Sequence, residues 1–112
     1  MDYRPLTPDF AVAGQIAPEQ IAEIKAAGYR SVICNRPDGE QVGQPSVASV
    51  RAAAEAAGLA FRHIPVSGGI FPPDAVAATA AALEELEGPI FAYCRSGARS
   101  TTLYTMARQS RG

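Results

Sequence analysis

The 112-residue chain has no tryptophan, one histidine, and only two cysteines. Two cysteines cannot build a disulfide framework, so a reducing, cytoplasmic setting is expected. With a single histidine they also fall short of the usual four ligands of a structural zinc site, and neither a metal nor an organic cofactor is expected. Charge of one sign is lacking too: 10 basic residues face 11 acidic ones, for a net charge of -1. Without a basic stripe, nucleic acid is not an expected partner. No apolar run reaches the roughly 18 residues that span a bilayer, so no membrane partner is expected either. The opening MDYRPLTPDF lacks the basic start and apolar core of a signal peptide.

What is present is a globular balance, 47% hydrophobic and 19% charged, in a length suited to one domain over 1–112. Much of the apolar content is alanine (22 residues), which predicts a thin, helix-rich core. Gly28, Gly58 and Gly88 recur at intervals of 30 residues. Each follows an alanine- or leucine-rich stretch and precedes a short apolar run: GYRSVICN, GLAFRHIP and GPIFAYCR. The pattern predicts helix, glycine cap and buried strand, three times over.

Helices are predicted over Pro18–Ala27, Ser46–Ala57, Pro73–Glu87 and Ala98–Gln109, with an opening strand near Phe10–Ala13. Alternating strands and helices predict an α/β fold: a mainly parallel sheet of about four strands, flanked by helices. Ligands of such sheets sit beyond the carboxyl ends of the strands. Cys34 and Cys94 each lie six residues past a repeat glycine, so both are expected at that rim and in one register.

The segment Tyr93 to Ser100 carries the chemistry. A strand, a cysteine, a glycine and a helix start in succession make an anion cradle, because helix N-terminal amides and the helix dipole converge there. In this reading Cys94 is a nucleophile whose pKa the same field lowers. Gly97 lets the backbone curl, and Arg99 offers a planar contact to an oxyanion. Ser96 and Ala98 complete the cradle. Ser100 is placed to bond the thiolate or a leaving sulfur, and Arg95 either meets substrate or faces solvent.

Cys94 to Arg99 reads Cys-x-x-Gly-x-Arg, with four intervening residues. It resembles the signature of cysteine-dependent tyrosine and dual-specificity phosphatases, which has five. Four is the spacing of many rhodaneses, and CRSGARS looks very like their loop. The rest of the chain, including VAGQIAPEQI, AAGYRSVICNRPDGE, the helix start Gln44-Pro45-Ser46, and HIPV, resembles the phosphatase-like domain of the beta-lactamase hydrolase-like proteins. That resemblance implies a cysteine-phosphatase-like fold, and its members are variously labelled phosphatases or sulfur transferases. Relatives often continue with another short helical segment, so the chain is read as a trimmed or minimal version.

Two observations favour sulfur. In the related families the shorter loop accompanies sulfur transfer. Dual-specificity phosphatases also supply an aspartate acid after the HIPV-like strand, whereas Val66 to Phe71 contains no acid. Asp74 is the nearest candidate, although a helix start wants it equally. Sulfite or a thiolate leaves as a stable anion and needs no acid. The expectation is therefore a thiosulfate or persulfide sulfurtransferase working through a Cys94 persulfide. Its partners would be a small anionic sulfur donor and a thiol acceptor, and it would be fused to or partnered with sulfide-metabolising enzymes. The alternative is a phosphatase with a Cys94 phosphocysteine, and a third reading is a non-catalytic anion- or persulfide-sensing module.

Three residues keep open roles. Cys34 is a resolving cysteine by resemblance to phosphatases with a second strand-end cysteine, or a small buried strand residue. Arg36 binds an anion, or pairs with Asp38 or Glu40. His63 is a base, or a strand histidine bonded to backbone.

Overall fold

The computed structural model describes residues 1–110. Arg111 and Gly112, the end of the expected domain, lie outside the described residues. Five strands form one sheet in the order β1-β2-β5-β3-β4: β1 (Tyr3–Thr7), β2 (Phe10–Ala13), β3 (Ser31–Cys34), β4 (Ala60–His63) and β5 (Ile90–Tyr93). β2, β5, β3 and β4 run parallel, as the α/β reading requires. β1 is an added antiparallel edge strand. Its largely exposed YRPLT carries no apolar alternation, and Pro5 suits only an edge.

The short buried strands alternate between two apolar layers. Ala11, Ala13, Val32, Cys34, Phe61, Phe91 and Tyr93 face one layer with α1 (Ile21–Ala26) and α2 (Val47–Ala56). Phe10, Val12, Ile33, Ile90 and Ala92 face the other, with α3 (Pro73–Glu85) and α4 (Ala98–Ser110). Burial on both faces explains why these runs read as continuously apolar.

Helix starts follow local chemistry. A 3-10 turn, Pro18–Gln20, leads into α1. The Ser46 side chain accepts the Ser49 amide at the start of α2, and Asp38 Oδ1 accepts the Val47 amide at 2.8 Å. Asp38 is thereby committed to a helix end.

The glycine repeat holds twice and fails once. Gly28 and Gly58 take φ of +104° and +84°, the left-handed conformation of a helix cap. Gly88 does not. α3 ends instead where Leu86 turns extended, and Ile90 begins β5 two residues after Gly88. β3 begins three residues after Gly28, so the two strands are out of step by one. Cys34 therefore pairs with Tyr93, which corrects the expected shared register with Cys94. In a sheet one residue of slip reverses the face.

Candidate active site

β5 delivers Cys94 to the carboxyl rim of the sheet, and α4 starts four residues later. The intervening loop is shaped by its neighbour β2. The Cys94 amide donates to Ala13 O at 3.2 Å, and the Gln15 amide to Arg95 O at 3.2 Å. Gly14 permits this approach, since a Cβ there would stand 2.9 Å from Arg95 O. Gly97 takes φ of +96° and turns its amide onto the Cys94 sulfur at 3.1 Å.

Cys94 is fully buried. Burial alone raises a thiol pKa, but the amides of Ser100, Ser96 and Gly97, joined by the Ser100 side chain, outweigh it and hold the Cys94 pKa below the ordinary thiol value. The loop amides thus converge on the Cys94 sulfur, which sits at the base of the loop. Ser96 and Ala98 are exposed at its edge, and Gly97 is buried within it.

Arg99 reaches the same place from the first turn of α4. Its Nη1 donates to Val66 O at 2.7 Å and to Glu40 Oε2 at 2.8 Å, and its Nη2 donates to Glu40 Oε1 at 2.8 Å. A guanidinium has five N–H donors. The end-on pair to Glu40 and the bond to Val66 use three, leaving Nε–H and one Nη2–H as a parallel edge. That edge has the geometry for two oxygens of an oxyanion.

Glu40, named from the sequence only as a partner for Arg36, is also the partner of Arg99. It also accepts Arg36 Nε at 2.8 Å. Hydrogen bonds from Arg99, then from Arg36, pull its pKa from 4.5 down to about 2 against the opposing effect of burial. Its signal in the sequence was the i, i+4 spacing from Arg36. Arg36 is 1% exposed and also donates to Gln15 Oε1 at 3.0 Å and Gln41 Oε1 at 3.3 Å. Of its two open roles the structure takes the ion pair, with Glu40, not Asp38.

Arg95 is exposed and, with Glu40, Gly68 and Arg99, lines a cleft of about 340 Å³ over the loop. Asp74 is exposed in the first turn of α3 and lines a different cleft, beside His63 and Pro65. His63 Nε2 lies 3.0 Å from Arg36 O, which places it as a backbone-bonded strand histidine. Cys34 donates to the same carbonyl at 3.3 Å, and both cysteines are free. Burial pushes the Cys34 thiol pKa up, opposite to Cys94. Ser100 is buried; its hydroxyl donates to Asn35 Oδ1 at 2.8 Å, and its side chain helps to lower the Cys94 pKa. Among the described residues no group of three or more His, Cys, Asp or Glu is placed to hold a metal, and no helix is long and apolar enough to cross a membrane.

Comparison with known proteins places this geometry. The family model "Beta-lactamase hydrolase-like protein, phosphatase-like domain" matches residues 2–111. A beta-lactamase hydrolase-like protein of Agrobacterium fabrum is 40% identical over 95 residues, which is 85% of this chain and 22% of that protein. One from Xylella fastidiosa is 36% identical over 97 residues, 87% of this chain and 22% of that protein. The chain thus spans about a fifth of the curated relatives it matches. A crystal structure from Neisseria meningitidis Z2491, described as that of a candidate phosphatase, superposes with a TM-score of 0.86 at 30% identity, over 97% of this chain and 78% of that one. The family description and the Neisseria structure speak of a phosphatase, and neither lends the sulfurtransferase expectation support. Matched from its second residue through its last helix, and carrying a buried Cys94 at the sheet's carboxyl rim, the chain belongs to the phosphatase-like domain family of the beta-lactamase hydrolase-like proteins.

Proposed function

We propose that this domain is a cysteine-dependent phosphatase, the second of the two readings drawn from the sequence. The observation that carries it is the pairing of a buried, amide-bonded Cys94 sulfur with an Arg99 that interacts with Cys94 and whose guanidinium is fixed end-on by Glu40. The phosphatase-like family supports the same choice.

In this mechanism the phosphoryl oxygens bind the loop amides and the Nε/Nη2 edge of Arg99. The Cys94 thiolate attacks phosphorus. The P–O ester bond breaks, and its electron pair leaves with the ester oxygen. Water then attacks the phosphocysteine, and the pair of the S–P bond returns to sulfur as phosphate departs. Developing charge on the equatorial oxygens meets donors already in place.

Glu40 is held ionised by two arginines and does not serve as an acid. Asp74 faces another cleft. Substrates whose leaving oxygen departs as a stable anion, such as aryl phosphates, are therefore favoured over alkyl phosphates. Arg95 at the mouth suits a second negative charge on the substrate.

One observation favours sulfur transfer as a second reading: the four-residue spacing of Cys94 and Arg99, which makes a smaller cradle. The same nucleophile serves both. The separating experiment incubates the protein and a Cys94→Ser variant with para-nitrophenyl phosphate, and in parallel with thiosulfate, reading phosphate release and intact mass. Cys94-dependent phosphate release is the expected result. A one-sulfur adduct on Cys94, discharged by cyanide, with no phosphate release would overturn the phosphatase reading.

A further inference from the structure

Arg36 carries a full charge yet is 1% exposed. A buried charge is costly unless it is paired and hydrogen-bonded. The side chain starts from a fixed point, because the Arg36 carbonyl meets His63 Nε2 at 3.0 Å and Cys34 Sγ at 3.3 Å. From there the guanidinium reaches three side chains. Its Nε donates to Glu40 Oε1 at 2.8 Å, its Nη1 to Gln15 Oε1 at 3.0 Å, and its Nη2 to Gln41 Oε1 at 3.3 Å. Of these three acceptors only Glu40 is a carboxylate.

Two of the three lead to the cysteine loop. The Gln15 amide donates to Arg95 O, so one partner of Arg36 is already bonded to the loop backbone. Glu40 accepts Nη1 and Nη2 of Arg99, whose guanidinium interacts with the Cys94 sulfur.

Glu40 is poorly held by its own segment. It stands in an exposed stretch between Gly39 and Gly43, both at positive φ. An ion pair between such a loop acid and one arginine contributes little and fixes neither partner. Arg36 changes the balance. Glu40 cannot swing away without stranding a buried cation, and breaking a buried pair is strongly unfavourable. Two guanidiniums against one carboxylate also leave a surplus positive charge, so the clamp on Arg99 does not neutralise the cleft.

We propose that Arg36 is a positioning residue: a buried cation that anchors Glu40 and, through Glu40, sets the plane of the Arg99 guanidinium beside Cys94. Buried as it is, it acts without touching substrate. The inference rests on the Cys94–Arg99 site of the proposed function, and holds whichever group that site transfers.

The test compares the rates at which iodoacetate and iodoacetamide alkylate Cys94 at neutral pH, followed by peptide mass. Both reagents react at the same sulfur, but only iodoacetate brings a carboxylate for Arg99 to bind. Their rate ratio therefore reports the placement of Arg99 apart from the state of the thiol. The variants are Arg36→Met, Arg36→Lys, Glu40→Gln, and Arg36→Met combined with Glu40→Gln. In Arg36→Met the ratio is expected to fall about tenfold, the factor carried by one hydrogen bond to a charged group, with the iodoacetamide rate little changed. Arg36→Lys keeps the charge but not the planar fork, and its ratio falls by less. Adding Glu40→Gln to Arg36→Met lowers the ratio no further than the larger single loss, because the two act in series. An unchanged or raised ratio in folded Arg36→Met overturns the proposal. So does equal slowing of both reagents, which marks a purely structural role. Losses that multiply in the double variant overturn it too, since Arg36 would then act apart from Glu40. If Arg36→Met does not fold, Arg36→Lys, alone and with Glu40→Gln, decides by the same three criteria. Failure of the phosphatase reading would appear separately, as absent phosphate release with these alkylation ratios as expected.

Discussion

Glu40 and Arg99 are joined by two parallel hydrogen bonds of 2.8 Å, from loop to helix, in the cleft that Arg95 also lines. The carboxylate fixes the plane of the guanidinium and decides which edge remains for substrate. Glu40→Gln keeps the shape and removes the charge. Hydrogen bonds to charged groups contribute about 1.5–3 kcal/mol, so kcat/KM for an aryl phosphate is expected to fall about tenfold to a hundredfold. Steady-state kinetics of the variant check this, and an unchanged kcat/KM would show that Arg99 holds its position without Glu40.

The same carboxylate makes stability depend on pH. Its pKa is depressed from 4.5 to about 2 by Arg99 and Arg36, so the folded protein binds a proton there less readily than the unfolded chain. The contribution is complete above pH 4.5 and is lost as pH falls toward 2. Urea midpoints measured across that range are expected to fall more steeply for wild type than for Glu40→Gln, converging at the acid end.

Cys94 and Cys34 are shifted in opposite directions, the one down by loop amides and the Ser100 side chain, which outweigh burial, the other up by burial. At neutral pH, limiting iodoacetamide is expected to modify Cys94 and spare Cys34. Tryptic mapping reads the ratio. Comparable labelling of both would mean that the loop does not hold a thiolate.

Asp74→Asn is expected to change turnover of an aryl phosphate by no more than about twofold, as for a surface substitution away from the site. A loss of orders of magnitude, with the pH–rate profile flattened on one side, would return Asp74 to the role of acid.

Gly14→Ala places a Cβ 2.9 Å from Arg95 O, against backbone rather than a flexible side chain. Overpacking of this kind costs about 1–3 kcal/mol. Both the melting temperature and activity are expected to drop, since the atom displaced belongs to the cysteine loop.

Most of this architecture is written locally. The four parallel strands and four helices follow from short apolar runs, alanine-rich stretches and proline or serine starts, and the loop from Cys94 to Ser100 is contiguous. What the chain does not announce is whatever needs two distant segments at once. β1 is exposed and polar because it is an edge, so it carries no alternation to read. The i, i+4 spacing offers Glu40 to Arg36, but Arg99 reaches the same carboxylate only on folding. Asn35 is one residue of a loop until Ser100 arrives from α4. The register of Cys34 failed because counting from glycines ignores where each strand begins.

The cysteine loop takes its shape from β2, a strand far away along the chain, through the Cys94 amide on Ala13 O and the Arg95 carbonyl on the Gln15 amide. A nascent or partly unfolded chain in which β2 and β5 have not met has nothing to aim its amides at the sulfur. Its Cys94 is then an ordinary thiol, mostly protonated at neutral pH. Reactivity is thus a late product of folding, and incompletely folded molecules are spared the indiscriminate chemistry of a loose thiolate.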